Sequence, residues 1–318
     1  QNTQFGPSAV NYLRKIRRKM RSDSINVPSI SNSGLFRSLF NLTKPNLVAM
    51  ILVTTTAGFF LSPIPMDYWR LIQTLIGTAL SAGGTLALNQ YIERQSDALM
   101  MRTAKRPIPT GCVSPRQALI FGLVISTIGA IYLSVVINPL TTVVIIAIHF
   151  SYLLIYTPLK QKSPISTFLG AIPGALPPVA GWCAASGRID LGAGVLFAIL
   201  FWWQLPHSLS IAWLYRDDYA QAGFQLLPIV QPNGKSTIFH IWFQTLILLF
   251  VGLLPAVPIV QIASYRYLFV ATLTGLVFLG LSLSLAWSPS QLAAKRVLSA
   301  SLVYLPLILV AMIADQIF

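Results

Sequence analysis

Nine apolar runs dominate this chain, at about 46–62, 70–92, 118–137, 140–157, 165–186, 191–215, 237–260, 266–287 and 297–317. Crossing a bilayer as a helix takes roughly 20 consecutive apolar residues. Within hydrocarbon, every backbone N–H and C=O must also be satisfied inside the segment. The runs therefore read as nine transmembrane helices of an all-α membrane protein. Composition closes the alternatives. Only 9% of residues are charged, against about 25% in a soluble domain, and mean hydropathy is +0.69. A soluble enzyme and a disordered chain are excluded. The net charge is +14, from 22 Lys+Arg against 8 Asp+Glu. In so apolar a chain that excess is a topology signal, and no nucleic-acid partner is expected.

The charges test the count of spans. With the N-terminus inside, 19 of the 22 Lys+Arg fall on the inner side, leaving Arg70, Arg188 and Arg266 outside. That asymmetry follows the positive-inside rule. It divides the chain into a basic, flexible tail over 1–41 and a membrane domain over 42–318. The tail holds the run Arg14, Lys15, Arg17, Arg18, Lys19 and Arg21. It reads as a segment lying on anionic lipid, or as the end of an organelle transit peptide. Ser114-Pro115 predicts a helix start, with Ser as N-cap and Pro at the first position. Pro173, Pro177 and Pro178 are expected to interrupt the fifth helix, and Gly170 and Gly174 to let backbones approach closely. Cys112 falls inside and Cys183 near the outer face, so no disulfide joins them. No CxxC, Walker A or GxGxxG pattern is present.

With only eight acids, their placement carries information, because charge at a membrane is costly and marks function by default. Asp23, Glu93, Asp97, Asp217 and Asp218 lie inside, and four of these sit at two helix ends. Asn89, Glu93 and Asp97 recur every four residues, so they share one helical stripe if the second helix extends that far. Arg102, Lys105 and Arg106 follow at once. Oxygen ligands for a hard cation beside donors for an anion suit magnesium and a phosphate. The bland alternative is a solvated helix end with local ion pairs. Asp218 lies eleven residues after His207, about three turns, so both point the same way on a continuous helix. Asp218 is thus the inward ligand of the second cluster and Asp217 a secondary one. His149, Tyr152, Tyr156 and Lys160 form a third stripe, with the fourth helix ending at Thr157 before Pro158. It reads either as core aromatics with a snorkelling lysine or as a π-lined slot that tolerates a cation, with Lys160 gripping an anion at its mouth. Clusters ending helices two and six suggest two four-helix halves around a central cavity, with a ninth helix outside.

These residues resemble the UbiA superfamily of intramembrane prenyltransferases, and within it the branch that farnesylates haem. The resemblance runs from about Leu42 to the chain end. Its most specific part is Asn89-x3-Glu93-x3-Asp97 followed by Met100-x-Arg102-Thr103-x2-Arg106-Pro107. Tyr156-Thr157-Pro158-Leu159-Lys160, Gly170 to Trp182, Pro206-His207 and Arg216-x-Asp218-Tyr219 carry the rest. Glu93 stands where Asp is commoner in the superfamily. The resemblance implies that farnesyl diphosphate binds through magnesium held by Asn89, Glu93, Asp97 and Asp218, with Arg102, Arg106 and Lys160 neutralising the leaving group. A vinyl group of haem B then attacks the allylic cation, and water completes haem O, for possible handover to a haem A synthase. His207 is a candidate for touching the haem, or else a buried imidazole bonded near the Pro206 kink; His149 is a weaker candidate. The expected location is the bacterial plasma membrane, or the mitochondrial inner membrane, with the site on the cytoplasmic or matrix side.

Two rivals remain. A quinone-precursor or chlorin acceptor would keep the same inner clusters. An ion-coupled transporter would also have broken helices and acids, but near the midplane, and here the middles of the spans hold no Asp, Glu, Lys or Arg.

Overall fold

The computed structural model describes residues 32–317. The run from Arg14 to Arg21 and Asp23 lie outside the described residues. Every regular element among the described residues is a helix, with no strand. Eight helices are long and apolar enough to cross a membrane: Tyr68–Leu99, Pro115–Ile137, Pro139–Leu159, Ser166–Ser186, Leu191–Leu214, Lys235–Ala256, Tyr265–Trp287 and Gln291–Ile317. The chain is thus an integral membrane protein. The first apolar helix, Pro45–Phe60, has 16 residues. At 1.5 Å per residue it is about 24 Å long, short of the ~30 Å hydrocarbon layer. The expected nine spans are therefore eight full-length helices and one short one.

The segment before them is not all tail. Asn32–Leu42 forms a helix whose Leu35, Leu39 and Leu42 pack with Ala87, Ile108, Val113 and Ala118. Leucines three and four apart share one helical face, and that face is what the helix buries. The packed helices thus include residues before the boundary read from the sequence at 42. Lys44 makes the break to the next helix with a φ of 50°, and Pro45 opens that helix at a position where a missing N–H costs nothing.

Short caps fix several helix starts. Ser114 and Gln117 form a reciprocal capping box ahead of Pro115, and Asp67, Asn138 and Asp190 each cap a helix on the opposite side. The fifth helix is broken at Leu176 into Ser166–Ala175 and Pro177–Ser186. Pro177 and Pro178 start its second half, whereas Pro173 stays inside the first, contrary to expectation. The second half crosses the first helix at backbone distance. A Cβ on Gly58 would overlap the Pro178 carbonyl, and one on Gly181 would overlap that of Thr55.

The second helix packs on the third, and the sixth sits between the first half of the fifth, the seventh and the ninth. The ninth helix is not outside the bundle. It packs against the sixth and eighth, and Trp203 Nε1 donates to the Ser301 carbonyl at 2.7 Å. The inward face of Val297, Ser301, Tyr304 and Ile308, buried at i, i+3, i+4 steps, explains why.

Candidate active site

The second helix runs 32 residues to Leu99, about 48 Å, so its final turns carry the first acidic cluster as continuous helix. Asn89, Glu93 and Asp97 are 1%, 7% and 0% exposed. A buried carboxylate is costly unless paired, and both are paired. Arg106 Nη1 donates to the two oxygens of Asp97 at 2.7 and 2.6 Å. Lys160 forms an ion pair with Glu93. The loop after the helix is turned back to allow this: Thr103 Oγ1 donates to the Asp97 carbonyl at 2.8 Å.

Asn89 is fixed from two sides. Its Nδ2 donates to Thr157 Oγ1 at 3.1 Å, and Lys44 Nζ donates to its Oδ1 at 3.3 Å. Thr157 spends its own proton on the Tyr152 carbonyl at 2.7 Å, so it can only accept from Asn89. Burial, and then the nearby Arg106 guanidinium, push the Lys44 ammonium down to about 7. Lys44 and Thr157 were not singled out from the sequence. Thr157 lies inside a recognisable motif; Lys44 is brought in only by the turn preceding Pro45.

The fourth helix does not end at Thr157. A wide π turn over Ser151–Tyr156 leads into Thr157–Leu159. Pro158 lacks an N–H and would clash with a carbonyl one turn back, and the wider turn absorbs it. Such π turns are frequent at functional sites. Tyr152 and Tyr156 lie with ring centroids 5.5 Å apart, and Lys160 Nζ is 4.7 Å from the Tyr156 ring centre. Gly170 lets Tyr156 lie flat against the fifth helix. The expected slot of Tyr152, Tyr156 and Lys160 is therefore assembled. His149 has Nε2 3.3 Å from the Ser81 carbonyl.

The second acidic cluster meets the same end of the molecule but through the loop. The sixth helix stops at Tyr215, and Arg216–Gln221 is a separate short helix, so a continuous projection from His207 to Asp218 does not hold. Met101 N–H donates to Asp218 Oδ1 at 2.9 Å, and Arg102 Nη2 donates to the Tyr219 hydroxyl at 2.9 Å. Arg102 also lies over the rings of Tyr215 and Tyr219. These contacts clasp the loop that carries Arg106 to the short helix. The Asp217 side chain is 91% exposed and near Arg216, so it takes no part in the cluster. Among the described residues, no three His, Cys, Asp or Glu side chains converge enough to hold a metal ion. The pooling of all these acids around one ion is thus not seen. Asn89, Glu93 and Asp97 alone still offer an all-oxygen set. Magnesium typically takes one or two carboxylates, with water and substrate phosphates completing its shell, so this set fits it.

His207 is not bonded at the Pro206 kink. Its Nδ1 is 2.8 Å from Ser301 Oγ, and its ring stacks on Trp203. Ser301 donates to the Leu298 carbonyl at 2.6 Å, which leaves His207 Nδ1 as the donor to it. Cys112 and Cys183 are both free thiols.

Comparison with known proteins agrees with this architecture. A family model described as the UbiA prenyltransferase family matches residues 51–305. The protoheme IX farnesyltransferase of Solibacter usitatus is 42% identical over 290 residues, covering 88% of this chain and 99% of that protein. The protein of the same name from Koribacter versatilis is 41% identical over 301 residues, covering 91% and 96%. Among solved structures, digeranylgeranylglyceryl phosphate synthase aligns with a TM-score of 0.76 at 16% identity, over 89% of this chain and 99% of that one. A UbiA homolog from Archaeoglobus fulgidus bound to GPP and Mg2+ aligns with a TM-score of 0.63 at 14% identity, over 86% and 99%. At such identities these structures speak for the fold alone.

Proposed function

The chain belongs to the UbiA prenyltransferase family, and from that premise we propose that it transfers a farnesyl group from farnesyl diphosphate to haem B. The carbon–oxygen bond of farnesyl diphosphate breaks, and its electron pair leaves with the diphosphate. A haem vinyl group forms the new carbon–carbon bond. Water adds to the resulting cation and loses a proton, giving haem O and diphosphate.

The observation that carries this reading is the buried stripe of Asn89, Glu93 and Asp97 with Arg106 and Lys160 already against it. Asn89, Glu93 and Asp97 would hold magnesium, which when bound supplies a Lewis-acid clamp on the diphosphate. Arg106 and Lys160 exchange their carboxylate partners for phosphate oxygens, so charge is matched before and after binding. Thr157 and Lys44 keep the Asn89 amide in one orientation. Arg102 and Asp218 hold the rim loop against the short helix, and with it Arg106. Tyr152 and Tyr156 line the apolar side, where ring faces favour a developing cation and the packed bundle keeps water from the allylic carbon. The site then faces the side on which the chain's Lys and Arg collect, which in a bacterium is the cytoplasm.

The test supplies haem B, farnesyl diphosphate and magnesium to the purified protein and follows the haem by mass spectrometry. A haem that gains a farnesyl group and water is the expected product. Haem returned unchanged while a phenolic acceptor is prenylated would overturn the acceptor, and leave the prenyl-transfer site intact.

A further inference from the structure

Behind the stripe, on the face of the second helix that carries Gln90, lies a cavity of about 390 Å³. Ser38 and Asn41 of the Asn32–Leu42 helix form one wall, and Lys44, Gln90, Lys105 and Arg106 another. The cations Lys105 and Arg106 line it with the Lys44 amine beside them, and no carboxylate does. Arg106 reaches Asp97 with Nη1 alone, so the rest of its guanidinium fork remains for the cavity. Gln90 is 2% exposed. Its Nε2 donates to the Leu42 carbonyl at 2.8 Å, but its Oε1 is buried without any donor. Buried acceptors left unpaired are uncommon and ask for a missing partner.

We propose that this cavity binds a phosphate-bearing anion that also carries a hydroxyl. Lys and Arg are the usual partners of phosphate oxygens, and the hydroxyl gives Gln90 Oε1 its donor once the amide turns toward the cavity. The setting favours a lipid headgroup as the source. The Asn32–Leu42 helix turns Phe36 and Phe40 outward, 74% and 54% exposed, while its leucines pack inward. A helix of that kind lies in the membrane interface with its aromatic side chains in the acyl boundary. It puts the cavity mouth at headgroup depth, where basic pockets collect anionic lipid. Phosphatidylglycerol offers both a phosphate and hydroxyls. Phosphatidylcholine offers neither a net charge nor a hydroxyl, and its quaternary ammonium is repelled by Lys105 and Arg106. Because Arg106 and Lys44 face both the cavity and the acidic stripe, the occupant sits one side chain away from the reaction.

Cys112 lines the same cavity and is partly exposed, whereas Cys183 is buried. The full chain is reconstituted in phosphatidylcholine vesicles, alone, with phosphatidylglycerol, or with inorganic phosphate in the buffer. Alkylation of each cysteine by N-ethylmaleimide is followed by mass spectrometry. At a ligand concentration about ten times that needed for half-occupancy, Cys112 alkylation is expected to slow about tenfold, and the slowing to vanish in Lys105→Gln. Cys183 stays unlabelled in every arm, which reports that the variant is folded. Slowing by phosphatidylglycerol alone assigns the site to lipid; slowing by inorganic phosphate alone assigns it to soluble phosphate. An unchanged Cys112 rate in both arms, or slowing that persists in Lys105→Gln, overturns the proposal. None of these outcomes depends on which acceptor the protein prenylates.

Discussion

Asp97→Asn separates two roles that the geometry leaves superimposed. Asp97 is fully buried and receives Arg106 on both oxygens at 2.7 and 2.6 Å. It is therefore at least the counter-ion of Arg106, and on the proposed reading also a metal ligand. Breaking a fully buried ion pair costs about 3–5 kcal/mol. The Arg106 side chain is 24% exposed and asparagine still accepts one hydrogen bond, so the cost here is about 1–3 kcal/mol, closer to that of one lost charged hydrogen bond. That loss is read as a lower thermal midpoint in detergent. The effect on turnover is expected to be larger, about 10²–10³-fold, the range seen when one group stabilising transition-state charge is removed. It should persist at saturating magnesium in a single-turnover assay of haem farnesylation. The double variant Asp97→Asn with Arg106→Gln completes the cycle. If Asp97 does no more than hold Arg106, the double variant turns over like Arg106→Gln alone. A near-normal single-turnover rate in Asp97→Asn, with only the thermal midpoint lowered, would refute the metal assignment.

Asp218→Asn weakens the acceptor of the Met101 N–H, and turnover is expected to fall at least tenfold with little change in the thermal midpoint; equal loss of both would make the clasp merely structural. Lys160→Met leaves Glu93 as a buried unpaired carboxylate, so we expect a loss of about 3–5 kcal/mol by denaturation, and a higher KM for farnesyl diphosphate in steady-state assay. Thr157→Val removes the acceptor of Asn89 Nδ2 and should raise the magnesium needed for half-maximal rate several-fold, while Thr157→Ser restores it. Gly58→Ala forces a methyl group onto the Pro178 carbonyl, and overpacking of this kind costs about 1–3 kcal/mol, visible as a lower thermal midpoint.

Several helix limits were legible in the sequence because apolar run length is a local property, though the second helix runs on to Leu99 and the ninth starts at Gln291, through polar residues that the apolar runs leave out. The runs at 191–215 and 266–287 became Leu191–Leu214 and Tyr265–Trp287. The Asn89, Glu93, Asp97 stripe was legible for the same reason, since four-residue spacing on a helix needs no partner to define it. What was hidden depends on packing between distant segments. Pro173 stays in its helix and Pro158 is absorbed by a π turn because neighbouring helices hold the backbone there. Lys44 reaches Asn89 across 45 residues, and nothing adjacent in sequence announces it. The link from His207 to Asp218 failed because it assumed one unbroken helix through Tyr215. The ninth helix was misplaced because apolar run length does not say which face meets the bundle; its buried face carries Ser301 and Tyr304, while Leu302, Val303 and Leu307 face outward.

The acidic stripe lies in the last turns of a helix that outruns the bilayer, with Arg106 on a rim loop and Lys160 at the end of the fourth helix. On the proposed chemistry this placement sorts what is made. Pyrophosphate departs toward bulk water, while the enlarged macrocycle dissolves in the acyl phase because each added methylene prefers hydrocarbon. The two products are parted by solubility as soon as they form, so the back reaction is starved of one reactant without any moving gate.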